Sequence, residues 1–227
     1  MNLFAPATAA AASAEAPAPT GERIPVLPRL GGAALVVAPL LMLGGMLTSP
    51  LQTEPGTAGY IQSLAADPAL SLASANFLHY AWVAMAAGAL ATIALLRGRR
   101  GRVWLSISAV LVFFGAIQMS GLLLSDWFLI SAGNLLPIEE AVAMDTAAKE
   151  TSALVWLLSA QLSAILGIAS LSLALARAKV VSWWVAPLGI VPFVVMALNL
   201  GWVGAVVGTI AFAPLVIAGV KLLRGRR

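Results

Sequence analysis

An all-α fold, a polytopic transmembrane bundle of six spans with both termini on the cytoplasmic side, is predicted from three observations. Only 10% of the 227 residues are charged, against about 25% in a soluble domain, so too few polar side chains exist to cover a water-facing surface. The apolar residues, 61% of the chain, fall in runs near the length of about 20 residues that crosses the hydrocarbon layer as a helix. Basic residues are segregated to alternate loops, the charge pattern that orients membrane helices. A barrel would instead need alternating polar and apolar residues.

Residues 1–28 are rich in Ala and Pro and have no apolar period, which predicts a disordered cytoplasmic tail. No Lys or Arg precedes the Ala tract, so a cleaved signal peptide is not expected. The transmembrane domain covers 29–227, with spans at about 30–48, 76–96, 103–128, 152–176, 181–199 and 203–222. The last two divide an uncharged stretch between Lys179 and Lys221 that is too long for one span, and "NLGWVG" supplies the turn. Two outer loops should contain helix. "GTAGYIQSLAADP", 56–68, is a surface segment that Pro68 would stop, and "PIEEAVAMDTAAKE", 137–150, has Pro137 at a helix start with acids in the first turn.

Charge placement tests this count. With an internal N-terminus, Arg23 and Arg29, the cluster Arg97, Arg99, Arg100 and Arg102, the pair Arg177 and Lys179, and Lys221, Arg224, Arg226 and Arg227 all lie inside. Twelve of the 13 basic residues then share one side, and only Lys149 lies opposite. Five spans would put the final basic cluster outside. The same pattern places both termini in the cytoplasm.

The absence of cysteine excludes disulfides and thiolate chemistry. His79 is the only histidine, so one chain cannot build a bis-histidine haem site, and no metal or cofactor is expected. Glu139, Glu140 and Asp145 follow no calcium-loop spacing and read as solvated charge. No catalytic set and no phosphate-binding glycine loop is visible.

The candidate pocket residues are picked by depth. At 1.5 Å per helical residue, His79 stands about 27 Å above Arg97, Gln118 and Gln161 about 24 Å above Arg102 and Arg177, and Asn199 about 30 Å above Lys179. Asp126, about 36 Å above Arg102, falls beside Trp127 at the outer boundary of its span. Gln118, Gly121 and Ser125 share one helical face. His79, Gln118, Ser125, Asp126, Gln161 and Asn199 therefore line an outward-facing polar pocket or serve as hydrogen-bonding glue between helices. The neighbours of Gln161 (Leu157, Leu158, Ile165 and Ile168) are aliphatic, so it also suits contact with a partner chain. Stripes of small residues, Ser159, Ser163, Gly167, Ser170 and Ala174 in span four and Gly204, Gly208 and Ala211 in span six, predict close helix packing.

The layout "VAPLLMLGGMLTSP", an outer helix ending "AADPA", a His-containing second span and an "LLRGRRGR" turn resembles small polytopic membrane proteins of high-GC bacteria that carry no assigned function. The resemblance implies the fold and a location in a bacterial cytoplasmic (inner) membrane, and no catalytic residue. The function expected is non-enzymatic, either ligand binding or membership of a membrane assembly. A small-solute transporter using the outer polar band is the alternative, and a membrane redox or lipid-modifying enzyme the third. Expected partners are the lipid bilayer and a homo-oligomer or membrane-complex partner, with no role for nucleic acid.

Overall fold

The computed structural model describes residues 26–96, 101–150, 154–198 and 200–225. The greater part of the predicted tail, the basic residues 97–100 and the candidate Asn199 lie outside the described residues. Among the described residues the protein is helical and contains no strand.

Four helices are long and apolar enough to cross a membrane: α1 (Val26–Thr48), Pro68–Leu95, Arg102–Leu135 and α7 (Leu154–Arg177). The second comprises α3 (Pro68–Ala91) and a closing 3-10 turn, Thr92–Leu95. The third comprises α4 (Arg102–Leu122) and α5 (Leu124–Leu135). A fifth appears if α9 (Gly201–Ala211) and α10 (Ala213–Leu223) count as one span bent by 43°. The break falls at Phe212 and Pro214, where proline removes a backbone donor. The predicted span at 181–199 takes a shorter form, a 3-10 turn at Ala186–Ile190 followed by α8 (Val191–Ala197). Pro187 opens the turn and Pro192 sits at the first positions of α8, where a missing N–H does least harm.

Two boundaries differ instructively from the pattern reading. Pro68 begins α3 at its first position, and the Asp67 carboxylate caps that helix by accepting from Leu70 N at 3.0 Å. The residue expected to stop one helix thus starts the next, directly after α2 (Gly56–Ala66). The third span runs on to Leu135 instead of ending at 128, because its extension finds an apolar face to bury outside the bundle.

The helices form a ring: α1 packs on α3 and α10, α3 on α4, α4 on α7, α7 on the 186–190 turn, and α8 on α9. Leu35, Met85, Leu105, Val112, Ile168, Leu171 and Leu215 fill its centre, all fully buried. The small residues let backbones approach. A Cβ on Gly115 would stand 2.4 Å from Ala164 N, and one on Gly167 2.8 Å from Val112 N, so α4 and α7 meet nearly backbone to backbone. Gly32 and Gly219 do the same for α1 and α10. In span six, Gly204 and Gly208 face Val195 of α8. These stripes are therefore used within the chain.

At the end opposite Leu95 and Arg102, a second, smaller core covers the bundle. Ile61 and Leu64 of α2, Leu129, Ile130 and Ala132 of α5, and Ala141 of α6 (Ile138–Ala148) are buried together. This cap stands on the Leu135 end of the Arg102–Leu135 helix, which at 34 residues is about 51 Å long.

Candidate functional site: the helical cap

Side-chain hydrogen bonds fasten α2 to two neighbours: Ser71 Oγ of α3 donates to Leu64 O at 2.8 Å, and a second bond reaches α5. Tyr60, on α2, donates its hydroxyl hydrogen to Asp126 Oδ1, in the first turn of α5, at 2.7 Å. An acid at that position also suits the dipole of α5. Burial first, and then the nearby Asp126 carboxylate, push the Tyr60 phenol well above its ordinary value of 10.0, so it remains a donor. Asp126 is half-buried, neither fully hydrated nor deep in the bundle.

Next to this pair lies a second. Lys149 donates to Asp145, four residues earlier on the same helical face. Asp145 is only 6% exposed, which corrects the expectation that it is a solvated surface charge. It is close enough to act electrostatically on both Tyr60 and Asp126, as Lys149 is on Asp126. Tyr60 was not singled out in the sequence, and Asp145 only as surface charge. The i, i+4 spacing of Asp145 and Lys149 was a readable signal, whereas nothing local marks Tyr60.

The remaining candidates sit apart. His79 Nδ1 lies 2.9 Å from the Ser120 hydroxyl and 3.3 Å from the Ser120 carbonyl oxygen, accepting from one or donating to the other according to its tautomer. Its ring meets Tyr80 edge-on and lies 6.3 Å from the Trp127 ring. Gln118 accepts from the Ser159 hydroxyl of α7 at 2.8 Å. Ser120 and Gln118 are two residues apart, about 200° around a helix, so these contacts lie on different sides of α4. Ser125 is exposed and returns its hydroxyl to Leu122 O at 2.6 Å. Gln161 is exposed on α7. Shared depth thus does not make a shared site. The buried Gln118 Nε2 and Trp127 Nε1 have no hydrogen-bond partner among the described residues.

Lower on the same helix pair, Trp104 Nε1 donates to Ser170 Oγ at 2.9 Å, and Ser108 and Ser170 share a bond of 2.7 Å. Most of the polar atoms between α4 and α7 therefore join helices.

Two hollows occur elsewhere. An open cleft of about 670 Å³ runs between Leu47–Thr53 and the outer side of α2, with Gln62, Ser63 and Asp67 on its wall. A crevice of about 20 Å³ between Met42, Trp82, Phe193 and Phe212 is apolar. Neither is lined by His79, Gln118, Ser125, Asp126 or Gln161. No group of three or more His, Cys, Asp or Glu side chains among the described residues has the arrangement of a metal site. Compared with known proteins, the chain matches no family model, no curated protein and no solved structure.

Proposed function

We propose that the protein is a non-enzymatic, six-span component of a bacterial inner membrane, with both termini cytoplasmic, that binds its ligand through the helical cap on the outer face. One observation carries the reading. The Tyr60–Asp126 bond locks α2 onto α5 within a separately packed set of helices over the bundle, beside the open cleft that α2 borders. Polar side chains at bundle depth instead join helix to helix, which favours a static body beneath a recognition surface. The six-span count adds the 186–197 and 201–223 segments to the four unbroken helices, and the segregation of twelve basic residues supports the orientation.

Native mass spectrometry on protein drawn gently from its own membrane tests the binding reading. A defined bound mass, reduced in the Tyr60→Phe and Gln62→Ala variants, is the expected result. The same bare mass from all three overturns it. Reporter fusions at 52, 98, 143, 179 and 200 test the topology, and an outward signal at 98 or 179 overturns the orientation.

A transporter of small solutes is the second reading, favoured by the proline-broken 186–197 segment and the 43° bend between α9 and α10. Solute flux into proteoliposomes that is lost in Pro192→Ala supports it.

A further inference from the structure

Gln161 has no role in the cap or in the packing of the bundle. It lies on α7, 16 residues before Arg177, which places it about 24 Å up the helix and inside the hydrocarbon layer. Its side chain is exposed, and no hydrogen-bond partner for it exists among the described residues. The contrast with Gln118 is direct, since that amide accepts from Ser159 across the α4–α7 contact. An amide offers an acceptor and two donors, and lipid tails satisfy neither.

The surroundings make this a face for another helix. Of the four unbroken spans α7 is the least covered, with 28% of its most apolar stretch buried. Leu154, Leu158 and the half-buried Leu157 and Ile165 lie within about 60° of Gln161 around the helix, whereas Ala164 and Ile168 on the same side are buried in the bundle, which confines the aliphatic patch and its polar centre to the outer half of α7. Helix association in lipid depends on such packing and on interhelical hydrogen bonds.

The occupant follows from symmetry. Copies of one chain insert in the same orientation, so a two-fold axis normal to the bilayer brings each Gln161 to its counterpart at equal depth. Two identical amides then exchange donor and acceptor in both directions, the reciprocal matching of an isologous interface. Any other protein would need a polar group of its own at that depth. We propose that the outer half of α7 forms the seam of a homodimer, with the Gln161 amides of the two copies hydrogen-bonded to each other.

The absence of cysteine makes the test clean. Single cysteines are introduced in the full chain at Leu158, Gln161 and Ile165, and at Val155 and Leu166, which are exposed on the same helix but turned away from the seam. Oxidation in native membranes should join copies through 158, 161 and 165 at least several times faster than through 155 and 166. Gln161→Leu should weaken the dimer roughly three- to tenfold, the worth of about 1 kcal/mol of interhelical hydrogen bonding, and Gln161→Asn should restore part of it. Equal cross-linking at all five positions, or an unchanged dimer in Gln161→Leu, overturns the seam. A monomer at every protein-to-lipid ratio overturns it too, while leaving ligand binding at the cap untouched.

Discussion

Tyr60 and Asp126, 66 residues apart in sequence, are joined by a 2.7 Å hydrogen bond that ties α2 to the first turn of α5. Loss of one partner leaves a half-buried acceptor unsatisfied, at a cost of about 1–3 kcal/mol. Tyr60→Phe is therefore expected to raise hydrogen exchange in 56–66 by about tenfold or more, with α1 and α3 below it little changed. Uniform exchange in both chains would show that the bond does not hold the cap.

The phenol also predicts an alkaline transition. Burial and the adjoining carboxylate raise the folded Tyr60 above its ordinary 10.0. Stability from keeping the phenol protonated is complete below pH 10 and declines as pH rises past it, because the opened cap then loses a proton that the closed one retains. The chain has two tyrosines, Tyr60 and Tyr80. In a Tyr80→Phe protein, absorbance near 295 nm should stay flat past pH 10 and rise together with loss of protection in α2. A simple titration centred at 10 would contradict this.

The α4–α7 contact predicts a steric effect. Alanine at Gly115 puts a Cβ 2.4 Å from Ala164 N, where backbone must move. Overpacking of this kind costs about 1–3 kcal/mol, and leucine costs more. Thermal unfolding of the detergent-solubilised protein should fall in the order wild type, Gly115→Ala, Gly115→Leu. Gly44→Ala, whose new carbon meets only the Phe77 ring at 3.4 Å, should change little by comparison.

A gain is expected at Lys179. Its φ is 60°, a left-handed conformation that favours glycine. Val180 N and Lys179 N close the end of α7 by bonding to Leu175 O and Ala176 O, the double bond of a Schellman turn. Lys179→Gly should stabilise by about 1 kcal/mol, read as a higher melting temperature. No gain would mean that the lysine side chain contributes as much as the backbone strain costs.

The long apolar helices were legible because length and apolarity decide them. Arg177 and Lys179 marked the end of α7, and the observed helix stops at Arg177. Pro68 was ambiguous, since proline both ends one helix and begins another, and only the Asp67 cap resolves it. Of the candidate site, depth could be counted from the basic turns but rotation could not. Gln118 and His79 share a level, yet their partners, Ser159 and Ser120, lie on α7 and α4 in separate contacts. Tyr60 was invisible for a related reason: its partner lies on another helix, and no spacing rule connects 60 with 126. Asp145 read as solvent-facing because helix pattern alone does not reveal that α6 packs on α2 and α5.

The 34-residue helix from Arg102 to Leu135 outlasts a 30 Å hydrocarbon layer by about 20 Å. Its upper end carries α2 and α6, so the cap moves with the lean of the whole rod. A change of ten degrees swings the tip sideways by about 9 Å, and helices lean further as the surrounding layer thins. Under the proposed function, the position of the cap is thereby coupled to the thickness of the surrounding lipid, which makes the rod a mechanical gauge.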